Sequence, residues 1–320
     1  MTLKSSPWTR APELMPAGAV TGIGSLPIAD PGEAVDFVVS CSPRLPFCPQ
    51  PQLVHLAEDT LAQLNGRDEV QGTWLEQFAH AVLAGAFPQA IGVKTQLTGP
   101  VTLAGLLSVR KGRVASHELI VSVAEVVAQN AEAQVRRLRP LGLPIVVYVD
   151  EPALALVEPA DLEGAAHLLN SIFGRIVRAG GRAGIHCCSV SSPSPLAAMS
   201  ATVLSFDATT DAASDGGSEI LRDSERLISF GLIAPSSSER PGSAFSRWLA
   251  AASRTGDPSD VARRTIVTTS CGLGEYTLAE AENAFRSATQ VAELVEQLAA
   301  RIATANSPDA ADESRGYPGV

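Results

Sequence analysis

Residues 181–190, GRAGIHCCSV, set an imidazole beside two thiols: His186, Cys187 and Cys188. Such groups ligate borderline or soft metals, act as nucleophiles once deprotonated, or simply pack in a core. Period-two alternation along an extended chain puts His186 and Cys188 on one face and Cys187 on the other. Cys187 is therefore predicted to be a packing residue. Other polar residues recur just after apolar, β-branched runs: Ser25 after VTGIG, Thr98 after GVKTQL, Asp150 and Glu151 after PIVVYV, Asp207 after TVLSF, and Cys271 after TIVTTS. Taken together, His186, Cys188, Asp207 and Cys271 offer one nitrogen, one carboxylate and two sulfurs, a set that selects zinc over magnesium or calcium. No CxxC pair is present, so the spacing is not that of a finger or ribbon. Spacing alone leaves a zinc site and inert core packing both open. The adjacent acids Asp150 and Glu151 read either as helix-capping groups or, for Asp150, as a substrate contact.

The elements that must position these residues alternate regularly. Candidate strands fall at 20–25, 92–97, 144–149, 183–187, 202–206, 227–233 and 265–270, and an eighth is expected between residues 50 and 72. Between them lie helical patterns. ASHELIVSVAEVVAQNAEAQVRRLRPLG closes on basic residues ahead of Pro140 and Gly142, which suits a helix C-terminus. The helix after Cys271 opens with Thr277 and Glu280 at capping-box spacing. Seven or eight strand–helix units predict an α/β fold, a single (β/α)8 barrel over residues 19–304, flanked by an N-terminal extension (1–18) and a disordered tail (305–320). A doubly wound open sheet is the rival, and it would more naturally carry a glycine-rich phosphate loop. In a barrel, residues just after strands converge on the C-terminal face, so the polar set above is expected to share one pocket.

Composition narrows the partners. The chain has 320 residues, 45% apolar and 18% charged, with a formal charge of −10. Acidic balance argues against nucleic acid or an anionic membrane as partner. No apolar run is long enough for a span, and the first residues lack a signal core, so a cytoplasmic location is expected. Cys41, Cys48, Cys187, Cys188 and Cys271 are then expected as thiols or ligands. His55, His117 and His167, and the pair Glu76 and His80, fall in helical stretches and read as surface or packing groups. Residues 234–245 read as a loop, either a lid or a flexible connection.

With those residues in place, the chain resembles the catalytic C-terminal barrel of the cobalamin-independent methionine synthase family. The motifs are TGIGSLP, LEQF, QLTGPVTLA, VDEPAL, IHCC, SFDAT and SCGL, in the family's order, across residues 19–303. The resemblance implies a zinc ion held by His186, Cys188, Asp207 and Cys271, with aspartate standing where the family usually has glutamate. It also implies a homocysteine site formed by the backbone of Ile23, Gly24 and Ser25, with Glu76 and Asp150. The chain is too short for the family's second, amino-terminal barrel, which implies a stand-alone core form.

Three departures bear on the methyl donor. The family's folate-stacking tryptophan falls at Leu106, its folate-contacting glutamate near Leu156, and its proton-donating histidine near Ala234. The expected activity is a zinc-dependent thiol S-methyltransferase converting homocysteine to methionine, with methyl-folate or a methylcorrinoid, possibly on a carrier protein, as donor. Two alternatives stand beside it: alkyl transfer to another thiol, and a non-catalytic relative that binds zinc, a thiol or a corrinoid protein.

Overall fold

Strands buried on both faces need cover on both sides, and the apolar runs of this chain are buried almost without a break. In a computed structural model, which describes residues 17–51, 69–109, 112, 114–158, 160–188, 194–209, 218–236 and 238–305, these runs form seven parallel strands. They are β1 (Ala19–Val20), β2 (Val93–Thr98), β3 (Ile145–Asp150), β4 (Arg182–Cys187), β5 (Val203–Asp207), β6 (Leu227–Ile233) and β7 (Thr265–Thr269). The sheet order β1-β7-β6-β5-β4-β3-β2 winds in one direction, each strand after β2 joining the previous one.

The sheet closes through a segment at residues 46–50. On one side the Gln50 amide donates to the Gly24 carbonyl and the Leu26 amide to the Gln50 carbonyl. On the other, the Cys48 amide donates to the Lys94 carbonyl and the Lys94 amide to the Pro46 carbonyl. Isolated parallel bridges Ser25–Gln50 and Phe47–Lys94 mark the same seam. The result is a single α/β barrel of the (β/α)8 type. The eighth strand was expected between residues 50 and 72. Its pairing segment lies just earlier, because Pro46, Pro49 and Pro51 interrupt any longer ladder and disguise the run as a loop.

Helices wrap the outside. α1 (Pro31–Cys41), α2 (Glu69–Leu83), α3 (Pro100–Val109), α4 (His117–Leu138) and α5 (Leu162–Arg178) cover the first half. The long helix α6 (Leu278–Ala305) packs on β7 and β1. The expected caps are present: the Ser116 hydroxyl accepts from the Leu119 amide, and Gly142 is left-handed at φ 66° after the Arg139–Leu141 turn. Thr277 and Glu280 form a reciprocal box, with the Thr277 amide donating to Glu280 Oε2 at 2.8 Å and the Glu280 amide to Thr277 Oγ1 at 3.3 Å.

Two apolar layers result. The larger lies between strands and helices and contains Cys187, fully buried. The smaller fills the barrel interior with Ala19, Leu45, Val146, Tyr148, Val203, Leu227 and Ile266. Residues 1–16, 52–68 (with His55) and 306–320 lie outside the described residues, so most of the expected extension and tail does too. Residues 234–245 are not one loop: a helix starts at Pro241. No helix among the described residues is long and apolar enough to cross a membrane.

Candidate active site

Above the interior layer, at the C-terminal ends of the strands, lies a cavity of about 280 Å³. Ile23 and Ser25 line it from the first strand's continuation, Thr98 from β2, Asp150 from β3, His186 and Cys188 from β4, and Cys271 from the turn after β7. Residues separated by most of the chain therefore face one space, as strand-end placement requires.

The centre of the site is a pair of thiols. Cys271 Sγ stands 3.7 Å from Cys188 Sγ. The two are not a disulfide. Their shared hydrogen bond, reinforced by burial, holds the Cys271 thiol well above the ordinary cysteine range. Inward parity explains the choice of Cys188: the β4 chain sends His186 and Cys188 toward the barrel axis, whereas Cys187 joins the outer layer with Met199.

His186 is buried and gripped on one side only. Its Nδ1 lies 2.9 Å from Ser205 Oγ, the neighbouring position on β5, while its Nε2 is buried with no hydrogen-bond partner. A ring oriented from behind, with its other nitrogen unpartnered, is suited to a proton or a metal ion. Ser205 was not singled out from sequence. The only available signal is a serine at inward parity inside an apolar strand, and that is weak.

The adjacent acids divide their labour. Glu151 turns away from the cavity and is fully buried. Its carboxylate accepts from the Val101 amide at 2.8 Å, the Thr102 amide at 2.9 Å and the Thr102 hydroxyl at 2.7 Å, which caps the start of α3. It caps a helix from another strand–helix unit, not its own. A Cβ on Gly99 would meet Glu151 Oε1 at 2.3 Å, which accounts for the glycine in LTGP. Asp150 points into the cavity, and its Oδ1 is buried with no hydrogen-bond partner. Burial pushes the Asp150 carboxyl up to about 6, against the pull of His186 and Lys94.

The turn Ile23–Gly24–Ser25 forms another wall. Gly24 packs so closely on Gln96 that a Cβ would meet its amide nitrogen at 2.5 Å. Ser25 ties this wall to the cysteine turn: its carbonyl accepts from the Leu273 amide at 2.9 Å, and its hydroxyl from the Gly274 amide at 3.3 Å. Gly272 is needed there, since a Cβ would meet Ser25 Oγ at 2.2 Å. Below lies Lys94, buried completely and also unremarked in the sequence.

Two expected site residues are not brought in. Asp207 has the right strand end, but its Oδ1 accepts from the Thr209 amide at 2.8 Å and the Thr209 hydroxyl at 2.6 Å, and it does not line the cavity. A side chain one methylene shorter than glutamate is drawn into this local turn instead of reaching the thiols. Glu76 is exposed on α2 and does not line the cavity. Its neighbours Trp74, Leu75 and Phe78 take the buried face of that helix. Among the described residues, no group of three or more His, Cys, Asp or Glu side chains already stands close enough to hold a metal ion.

The positions expected to face a methyl donor differ in character. Leu156 is 83% exposed and stands with Val109 and Val114 at a mainly apolar cavity of about 660 Å³ between α3, α4 and α5.

No protein-family model matches the chain, and no curated protein matches it in sequence. Among solved structures, a D-psicose 3-epimerase in the presence of D-fructose is 11% identical, covering 86% of this chain and 99% of that one, with a TM-score of 0.49. A glycoside hydrolase family 5 enzyme from Prevotella bryantii B14 is 10% identical, covering 90% and 98%, with a TM-score of 0.49. The barrel assignment rests on strand pairing, not on these likenesses.

Proposed function

We propose that this chain is an enzyme, a zinc-dependent thiol S-methyltransferase that takes homocysteine to methionine. The observation that carries the reading is the Cys188–Cys271 pair, 3.7 Å apart in a cavity also lined by His186, whose buried Nε2 has no hydrogen-bond partner. Two sulfurs each ~2.3 Å from one tetrahedral zinc stand about 3.8 Å apart, so the pair fits the ion. Cys188 and Cys271 would hold it, with His186 as the third donor. The fit is partial: among the described residues no three such donors already stand close enough to hold the ion, so His186 would have to move onto the cysteine pair, and Asp207 is occupied by Thr209.

Zinc bound there would hold the substrate thiol as its thiolate at neutral pH, where a free thiol is mostly protonated. The chain's own groups do the rest. Asp150 receives the α-ammonium group, since it lines the cavity and its buried Oδ1 has no hydrogen-bond partner. The backbone at Ile23, Gly24 and Ser25 faces the α-carboxylate. Ser205 orients the His186 ring. The cavity, about 280 Å³, suits an amino acid-sized thiol rather than the thiol together with its donor. Ala234 supplies no acid, which favours a leaving group that departs without a proton. A methylcorrinoid meets that condition, and an unprotonated folate amine does not. A cytoplasmic location fits five cysteines without a disulfide.

The diversion of Asp207 favours one second reading, a non-catalytic protein that binds zinc and a thiol. A single experiment separates the two. Protein purified without chelator is assayed for zinc and sulfur coordination with and without homocysteine, then for methionine formation with methylcobalamin or methyl-folate. About one zinc per chain, gained sulfur coordination and product support the enzyme. Zinc and thiol binding without product under either donor supports the binding protein, and absence of zinc from folded protein removes both.

A further inference from the structure

We propose that Lys94 is a positioning residue for the thiol amino acid, fixing from below the Ile23–Gly24–Ser25 wall of the cavity. The proposal rests on the methyltransfer reading for its ligand but on geometry for its content. Lys94 is 0% exposed, sits on β2 inside the barrel, and does not line the cavity. Its Nζ donates to the Ile23 carbonyl at 2.6 Å and to Gln96 Oε1 at 2.9 Å, and lies 4.4 Å from the centroid of the Tyr148 ring. Gln96 in turn donates to the Cys48 carbonyl at 2.8 Å.

A lysine is a poor choice for filling space. Desolvating an ammonium costs several kcal/mol unless good partners surround it, and a buried aliphatic side chain of similar volume carries no such cost. Burial does act on this one, lowering it to about 8 despite the nearby charge of Asp150 and the Cys48 thiol. What the ammonium gives in return is a fixed acceptor geometry. The Ile23 carbonyl belongs to a turn with few ladder bonds of its own, since β1 proper ends at Val20. Lys94 grips that turn at Ile23, the Gln96 side chain fills the space beneath Gly24, and Ser25 then carries the Leu273 and Gly274 amides of the cysteine turn. Thus one buried cation is linked through three consecutive residues to both the amino-acid wall and the turn after Cys271.

The test compares wild type with Lys94→Met, and with Gln96→Met as a milder variant should the first fail to fold. Two readouts are taken on zinc-loaded protein: deuterium uptake of a peptide covering residues 20–27, and the split of homocysteine KM against kcat. Loss of one charge-assisted bond predicts faster uptake in that peptide and a KM raised about tenfold, with kcat within about threefold and zinc content unchanged. Gln96→Met is expected to shift both in the same direction, by less. Unchanged uptake and unchanged KM in a folded variant overturn the proposal and make Lys94 a core residue. A uniform rise in uptake over the whole barrel overturns it too, since a merely structural role predicts that. If wild type shows no homocysteine turnover, the methyltransfer reading fails, and the uptake of residues 20–27 still decides the role of Lys94.

Discussion

The sulfurs of Cys188 and Cys271, which are 83 residues apart in the chain, stand 3.7 Å from each other. One follows β4 and the other follows β7, so only barrel closure brings them together. Their separation suits one shared ion, and His186, whose buried Nε2 has no hydrogen-bond partner, lines the same cavity.

Substitution separates ligand from packing thiol. Cys188→Ser and Cys271→Ser are each expected to abolish zinc retention. Cys187→Ser is expected to keep the metal and lower stability by about 1–3 kcal/mol, because it puts a hydroxyl in an apolar layer. Metal per chain and thermal melting read both effects. Loss of metal from Cys187→Ser alone would reverse the assigned facing of β4.

Asp207→Ala is expected to leave zinc retention within about threefold of wild type, because the carboxylate already serves Thr209. Ser205→Ala should weaken zinc binding about tenfold, since it frees the rear nitrogen of His186. Competition titration against a chelator measures both. A larger loss for Asp207→Ala than for Ser205→Ala would restore Asp207 to the ligand set.

Gly272→Ala drives a methyl group into Ser25 Oγ and is expected to cost about 1–3 kcal/mol. Adding Ser25→Ala removes the obstructing atom. The double variant should recover part of the loss, giving a coupling energy of about 1 kcal/mol in a denaturation cycle. Simple additivity would show that the two residues do not meet.

The buried acid Glu151 sets a pH dependence. Burial raises its carboxyl to about 7, with the Thr102 and Val101 hydrogen bonds pulling the other way. A folded-state value above the unfolded one means that the native protein binds more protons between them. Stability therefore falls as pH rises from near the unfolded value of 4.5 to about 7. Glu151→Gln should flatten that limb, so wild type loses about 3 kcal/mol relative to the variant across it. Urea denaturation at several pH values measures the slope, and parallel curves would contradict it.

Asp150→Asn is expected to raise the KM for homocysteine about a hundredfold, as it removes the carboxylate placed deep in the cavity wall to meet the ammonium, the wall's other carboxylate, Glu275, being exposed. Glu76→Gln should leave KM unchanged, because Glu76 faces solvent. Equal effects from both would place Glu76 in the site after all.

Much of this arrangement was legible in the sequence, for a physical reason. A strand buried on both faces must be apolar throughout, so a polar residue at its end stands out, and His186, Cys188, Asp150 and Cys271 were visible that way. Residues whose role depends on cross-strand neighbours were not. Ser205 and Lys94 act through contacts that no local pattern encodes. Glu151 and Asp150 share one motif, yet only the fold tells the helix cap from the cavity acid. Asp207 misled because strand-end position fixes where a side chain starts, not which hydrogen bond captures it. Glu76 misled because its helical neighbourhood, with Trp74, Leu75 and Phe78 inward, already turned it outward.

The seam at residues 46–50 divides the barrel's backbone hydrogen bonding unequally. His186 lies on β4, and Cys188 and Cys271 follow β4 and β7, strands joined by parallel ladders from β4 to β7 with one register shift between β6 and β7. Ile23, Ser25 and Gln50 sit where the hoop is fastened by single bridges and a few amide bonds. On the proposed reading, the metal-holding groups stand at the laddered arc and the surface that would distinguish one thiol from another at the sparsely bonded one. Changes along the seam can retune which molecule is accepted while the sulfur-bearing arc keeps its shape.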